Sequence, residues 1–192
     1  MAGNAGDGLF SYVPISQASP ISIELWFWQF WVKGVSQYLL AWDNAVNPST
    51  FIWLLNTGPV QTNINASPAL QSPSAPAIQT WHHVVTVFTG TAFTLWLDNV
   101  AVATTAYTST FTINRDIGLG NLPTGANVYS GFLAEVAVYG YALIGAQIAN
   151  HFNAADQRTQ APIFRGPSTF TGGGTTVTQL EKFIASTYLN SP

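Results

Sequence analysis

The sequence predicts an all-β domain, built as a two-sheet antiparallel sandwich, followed by one short helix and a C-terminal arm. Residues 81–104 hold three apolar runs separated by two turn signals, which is typical of a three-strand meander. Residues 21–32 are apolar on both sides of a strand, and residues 143–152 change to helical spacing. Because a meander must bury one face against another layer, the pattern favours a sandwich.

The first half of the chain alternates short apolar runs with turn residues. Strands are predicted at 7–14, 21–32, 38–42, 51–55 and 60–64, with a turn at 16–20 and a loop at 43–48. The run at 21–32 has apolar groups on both faces, so it should lie between two layers or under a covering loop or partner. Trp26 or Trp28 is therefore expected to face something beyond the sandwich core.

The second half begins with the meander, in which Asp98-Asn99 marks a two-residue hairpin turn. Further strands are predicted at 107–113, 117–119 and 129–139, with a turn at 114–116. Leu143, Ile148 and Phe152 then have helical spacing, and His151 on the same helix is expected to face solvent.

The domain is predicted to cover residues 1–156, and residues 157–192 form a separate arm. This arm contains prolines and the glycine run 172–174, which is typical of a flexible joint. Thr178 and Glu181 have the spacing of a helix capping box, and an apolar stripe follows. A helix this short is marginal alone, so it should need a docking surface on this subunit or the next.

Composition limits the classes of function. Charged residues make up 7% of the chain, against about 25% in typical soluble domains. A neutral polar coat or buried subunit interfaces would explain that value. A net charge of -3 with five Lys and Arg argues against nucleic acid, and the absence of cysteine excludes disulfides and thiolate chemistry. We find no secretory signal in this chain and no apolar run long enough for membrane insertion.

Four segments together resemble a known family. Residues 21–27, 81–84, 95–99 and 131–139 have the order and spacing of the laminin G-like branch of the concanavalin A-like jelly rolls, over roughly the first four-fifths of the chain. The resemblance implies a jelly-roll sandwich with ligands at one loop rim or on the concave face. Relatives include sugar-binding modules, adhesion domains, glycoside hydrolases and virion surface proteins, so function has to be argued from the site.

Two positions depart from the family pattern. Asn99 stands in the hairpin where the family usually has glycine, and Ala134 stands where an aspartate is common. The second change removes a carboxylate. Any role of that aspartate in relatives is therefore in question here.

Catalysis is not expected. Hydrolases of this fold place a Glu-x-Asp-x-Glu pattern on one strand, whereas no two acids here are close enough in sequence to share a strand face. Glu24 and Glu135 are interpreted as hydrogen-bonded structural residues, with convergence of carboxylates from different strands left open. His82 and His83 are adjacent and point to opposite faces, so they cannot chelate one ion.

Candidate ligand contacts lie at predicted strand ends. A glycan site would use Trp42 with Asn44, or Tyr129 with Asn127, because an aromatic ring stacks on a sugar and amides bind its hydroxyls. The alternative is that Trp42 is a core residue and Tyr129 a strand-edge residue. Calcium is the cofactor that the family suggests, with part of its shell from Asp43 with Asn44 and Asn47, or from Asp116 with Asn114. Turn formation is the alternative role of Asp43 and Asp116.

The sequence therefore favours a non-enzymatic structural or attachment protein. The first hypothesis is a virion (phage) surface decoration or fibre subunit, self-associating or bound to other coat proteins through its apolar surface and arm. The second is a carbohydrate-binding or adhesion module of a bacterial extracellular protein. Glycans are expected partners under both hypotheses, and the expected location is a virion surface or extracellular.

Overall fold

The structure, a computed structural model, describes residues 9–10, 15–42, 50–65, 67–110, 112–115, 117–122 and 126–159. The chain divides into two compact units, Met1–Thr159 and Gln160–Pro192. The second unit lies outside the described residues. The C-terminal arm and the division at residue 156 therefore stay predictions.

The first unit is an all-β sandwich with one helix after the last strand. Its strands are β1 (Leu9–Phe10), β2 (Ile15–Ala18), β3 (Ile21–Gln29), β4 (Gln37–Trp42), β5 (Thr50–Leu54), β6 (Val60–Ile64), β7 (Leu70–Gln71), β8 (Trp81–Phe88), β9 (Ala92–Leu97), β10 (Val100–Ala106), β11 (Thr112–Arg115), β12 (Ile117–Leu119) and β13 (Gly131–Tyr139), and its helix is α1 (Gly145–Thr159). One sheet has the order β1-β12-β4-β5-β6-β7 and the other β10-β9-β8-β3-β13, while β11 pairs with β2. All pairs are antiparallel, which confirms the predicted jelly-roll sandwich.

Strand β3 is buried on both faces, as its sequence predicts. Its odd-numbered residues, from Ile21 to Phe27, enter the core between the two sheets. Its even-numbered face carries Glu24 and Trp26, which are 4% and 5% exposed. Helix α1 covers this second face, since the Phe152 ring stacks on Trp26 at 5.6 Å between ring centroids. A covering element beyond the core is thus confirmed.

Helix α1 is held against β3 and β8 by apolar and polar contacts. Leu143 and Ile148 pack with Val85 and Val87 in a second, smaller core. Ser22 fixes the chain just before the helix, because its Oγ accepts from Leu143 N at 2.9 Å and donates to Tyr141 O at 3.0 Å. The helix is therefore part of the domain. Among the described residues, no helix has the length and apolarity to cross a membrane.

A bulge in β13 changes which side chains face the core. Pairing with β3 shifts between Ala134 and Ala137, and Glu135 in the bulge has a φ of 49°. Leu133 therefore lies on the core side together with Val136 and Val138, although strict alternation would separate them. Strict alternation would place Phe132, Ala134, Val136 and Val138 on one face, and the bulge breaks that grouping.

Other differences involve short strands. Residues 16–18 of the predicted turn at 16–20 belong to β2, which pairs with β11. Strand β11 in turn includes Asn114 and Arg115 of the predicted turn at 114–116. Strand β7 was not predicted. The hairpin turn between β9 and β10 is confirmed, because Asp98 and Asn99 have φ values of 49° and 63°.

Candidate functional site

Glu24 is the centre of a hydrogen-bonded cluster beneath α1, called here the Glu24 hub. His83 Nε2 donates to Glu24 Oε1 at 2.6 Å, and the Tyr139 hydroxyl donates to Oε2 at 2.7 Å. His151 Nδ1 lies 3.2 Å from Oε1 and 2.9 Å from Oε2. One carboxylate thereby joins β3, β8, β13 and α1.

The electrostatics of the hub favour an ionised carboxylate. Burial alone would raise the pKa of Glu24, but hydrogen bonds from His83, Tyr139 and His151 outweigh it and leave the pKa lowered. Burial and the bond to Glu24 both raise the pKa of Tyr139, which keeps the phenol protonated as a donor. His83 is fully buried, and its Nδ1 has no partner in the described structure.

A pocket of about 340 Å³ opens beside the hub, and Glu24, Glu135, Tyr139 and His151 line it. The structure therefore brings together two carboxylates that are far apart in sequence. Each Glu24 oxygen already accepts two hydrogen bonds, and the residue is 4% exposed. The hub thus has the properties of a structural connection between α1 and the sheet. His151 was expected to face solvent, and its side chain is 37% exposed; its ring nevertheless contacts Glu24 and stacks on Tyr139.

His82 has a separate structural role on the opposite face of β8. Its Nδ1 donates to Asp98 Oδ2 at 2.7 Å and its Nε2 to Ala77 O at 2.8 Å. Burial alone would lower the pKa of His82, but the bond and charge of Asp98, with the Ala77 carbonyl, raise it. Two acceptors for two ring nitrogens favour the protonated form. The opposite orientation of His82 and His83 is confirmed.

The outer face of the six-stranded sheet carries aromatic and amide side chains, and we call it the aromatic–amide face. Its residues alternate with core residues along β4 to β7. They are Tyr38, Phe51, Trp53, Gln61, Asn63 and Gln71. Pairing places Tyr38 opposite Trp53, Trp53 opposite Gln61, and Gln61 opposite Gln71. Four of these side chains thus form one row across four strands.

The rings and amides of this row are partly accessible. The rings of Tyr38 and Trp53 are stacked, with centroids 5.9 Å apart, and both residues are half-buried. Phe51 packs edge-on against both rings from a buried position. Gln61 is half-buried and Gln71 is exposed. A half-exposed aromatic pair next to amides offers both an apolar surface and paired donors and acceptors to a ligand.

The predicted glycan residues are placed elsewhere. Trp42 is fully buried and Tyr129 is 8% exposed, both within the main core. For Trp42 this is the core position given as its alternative, whereas Tyr129 lies in the core just before β13 and not at a strand edge. Stacking on a sugar requires an open ring face, which neither residue has. Asn127 is exposed with a φ of 56°, and its backbone carbonyl accepts from Tyr38 N at 3.1 Å.

The remaining predicted ligands, Asp43, Asn44 and Asp116, lie outside the described residues. In the part of the chain that is described, no three His, Asp or Glu side chains are grouped to hold a metal ion. Calcium binding by Asp43 and Asp116 stays a prediction.

Sequence reasoning missed both the hub and the aromatic–amide face. Glu24 and His151 are 127 residues apart, so no local pattern links them. The face had a usable signal, because Phe51 and Trp53 alternate with apolar residues on one strand and Gln61 and Asn63 on the next. Only the strand order, however, makes those two strands neighbours.

The strand order and the helix-covered sheet define a lectin-like jelly roll. A family model described as the concanavalin A-like lectin/glucanases superfamily, of laminin G type, matches residues 4–149, which is more than half of the chain. This protein belongs to that superfamily, which confirms the resemblance. No curated protein matches the chain.

Solved structures share the fold at low identity. A heptameric SAP-like pentraxin from Limulus polyphemus is 16% identical, with a TM-score of 0.59 over 74% of this chain and 73% of that chain. Domain 4 of AbnA, an extracellular arabinanase from Geobacillus stearothermophilus solved with arabinotriose, is 18% identical, with a TM-score of 0.54 over 70% of this chain and 66% of that one. A Trypanosoma rangeli sialidase is 16% identical, with a TM-score of 0.59, and 71% of this chain matches 23% of the sialidase. At these identities the likeness shows the fold alone.

Proposed function

We propose that this domain is a non-catalytic carbohydrate-binding module whose ligand lies on the aromatic–amide face. The observation that carries the proposal is the row of Tyr38, Trp53, Gln61 and Gln71 across four neighbouring strands. Sugars present apolar C–H faces and hydroxyl edges, so they are bound by aromatic rings together with amides. The row contains two aromatic rings followed by two amides.

The dimensions of the row favour an oligosaccharide. Four strands at a spacing of about 4.8 Å span about 14 Å, which is longer than one sugar ring. Trp53 and Tyr38 would supply the apolar contact, while Gln61 and Gln71 would bond hydroxyl groups further along. The structurally similar domain 4 of the arabinanase AbnA, which was solved with arabinotriose, also supports a carbohydrate ligand for this fold.

Trp53→Ala tests the proposal. The full-length protein is screened on a glycan array, and the affinity of the best ligand is measured by isothermal titration calorimetry for wild type and variant. We expect at least a tenfold weaker affinity, which corresponds to about 1.4 kcal/mol. Tyr141→Ala is the matched control, because Tyr141 is 48% exposed and lies between β13 and α1, outside this face. Equal affinities for wild type and Trp53→Ala would refute the assignment.

The proposal includes the absence of catalysis. Its support is the state of Glu24, whose two oxygens are both occupied by protein donors. Reducing-end assays on any glycan that the array identifies should detect no product. Hydrolysis that is lost in Glu24→Gln or Glu135→Gln would contradict this part of the proposal and point to the pocket beside the hub.

We further propose an attachment role on a particle or cell surface. A virion decoration or fibre subunit comes first, and a bacterial extracellular module is the alternative. Support comes from the 7% charged fraction and from Trp31, Val32 and Val35, which are 49%, 41% and 53% exposed. Light scattering at several concentrations should detect a stable oligomer. A monomer at every concentration would contradict self-association through the apolar surface.

A further inference from the structure

The aromatic–amide face is built entirely from uncharged side chains. Strands β4 to β7 contribute no Lys, Arg, Asp or Glu. Tyr38 is their one titratable group, and burial raises its pKa, so its phenol stays neutral. Glutamine and asparagine amides both donate and accept, which matches hydroxyl groups that also do both.

A carboxylate on a ligand has different needs. It is an acceptor only, and strong recognition of it in proteins comes from charge-assisted bonds of Arg or Lys. A carboxylate that meets neutral side chains loses water without gaining such bonds. Gln61 and Gln71 can donate to it through their NH2 groups, but these donors are uncharged, and the amide carbonyl oxygens cannot bond a carboxylate.

Outside the face, the chain carries both signs of charge with an excess of acids. Lys33, in the segment between β3 and β4, is exposed, and its Nζ donates to Val128 O at 3.3 Å. The whole chain has five Lys and Arg against eight Asp and Glu, for a net charge of -3. That net charge disfavours the approach of anionic ligands at low ionic strength.

We infer that this module, if it binds carbohydrate on the face as proposed above, selects uncharged glycans and discriminates against glycans carrying sialic or uronic acid. The inference rests on the proposed function and adds the chemical class of the ligand. The discriminating residues are Gln61 and Gln71, the uncharged polar side chains of the row.

The experiment uses matched glycan pairs. The full-length protein is applied to an array on which each neutral oligosaccharide is printed beside the same oligosaccharide capped with sialic acid or oxidised to a uronic acid. We expect the neutral member of each bound pair to bind at least tenfold more tightly. Equal or tighter binding of the acidic members would overturn the inference and leave the proposed function standing. No binding to any neutral or acidic glycan would overturn the proposed function itself.

Two variants show whether the preference arises on this face. Gln61→Lys places a cation in the row and should raise affinity for the acidic members at least several-fold relative to their neutral partners. Lys33→Gln, the matched control, should leave the ratio unchanged. An unchanged ratio in Gln61→Lys, or a changed ratio in Lys33→Gln, would contradict the assignment of selectivity to this face.

Discussion

Replacing Glu24 with leucine should lower the free energy of unfolding by about 2–4 kcal/mol. Leucine has a similar size, so the change removes the acceptors of the hub without opening a large cavity. His83 is 0% exposed, and its Nε2 loses the acceptor that it has among the described residues, which costs about 1–3 kcal/mol for an unsatisfied buried donor. Tyr139 is partly buried and adds about 1 kcal/mol, while His151, with a side chain 37% exposed, turns to water.

Urea unfolding followed by tryptophan fluorescence measures this loss. With a slope of about 2 kcal/mol/M, the midpoint should fall by about 1–2 M. Glu24→Gln keeps one carbonyl acceptor, so its urea midpoint should lie between those of wild type and Glu24→Leu. If the leucine variant does not fold, the midpoint of Glu24→Gln relative to wild type tests the contribution of the hub. Val100→Thr is the control, because Val100 is 60% exposed on β10, at the opposite edge of the sheet from β13, and the change should alter stability by about 0.5 kcal/mol or less.

One result would refute the reasoning about the hub. If Glu24→Leu unfolds at the wild-type urea concentration with an unchanged slope, the hydrogen bonds to His83, Tyr139 and His151 contribute no net stability. Helix α1 would then be held by the apolar contacts of Ile148 and Phe152 alone.

Further predictions concern pH, the hairpin and a crowded glycine. Because the pKa of Glu24 is lowered from 4.5, its stabilisation is complete above that pH and is lost as the pH falls through the folded value; urea midpoints should therefore drop in acid, and less so in Glu24→Gln. The pKa of His82 is raised from 6.5, so its contribution to stability is complete below that pH and is lost as the pH rises through the folded value. His82→Gln should therefore reduce the loss of stability between neutral and alkaline pH. An unchanged dependence of the urea midpoint on pH would count against the pair with Asp98. Asn99 has a φ of 63°, so Asn99→Val should lower stability by about 1–2 kcal/mol in thermal unfolding while Asn99→Gly should not; equal melting temperatures would contradict a strained turn. A Cβ at Gly131 would collide with Trp28 O and the Tyr129 hydroxyl, so Gly131→Ala should lower the free energy of unfolding by about 3 kcal/mol. Gly90→Ala is the control and should cost about 1 kcal/mol, because its Cβ meets open space at a φ of 100°. A melting temperature of Gly131→Ala no lower than that of Gly90→Ala would disprove the clash.

Much of the fold could be predicted because its signals are local. The meander of β8, β9 and β10 follows from period-two alternation, and the turn between β9 and β10 follows from Asp98-Asn99. Strands β2, β7 and β11 have two to four residues each, which is too few to show a period. Strands β2 and β11 also pair with each other across a long stretch of sequence, so no local signal marks them. The bulge at Glu135 depends on pairing with β3, so the sequence of β13 alone did not reveal it.

The candidate site was less predictable, because each of its parts joins remote segments. Trp42 and Tyr129 were sensible candidates at strand ends, yet both lie in the core. Whether an aromatic residue at such a position faces a ligand depends on what packs over it. Trp53 and Gln61 could be assigned to outward faces only when their strands were known to be neighbours.

The sequence by itself determined the antiparallel sandwich, the helix after the last strand, the superfamily and the scarcity of charge. The periodicity of a strand or helix is encoded within each short segment, and composition is a property of the whole chain, so neither depends on which segments meet in space. The tertiary structure alone decided that Glu24, His83 and His151 meet under α1 and that rings and amides align across β4 to β7. Those arrangements depend on strand order and register, which are fixed only when distant segments bury their apolar faces against each other.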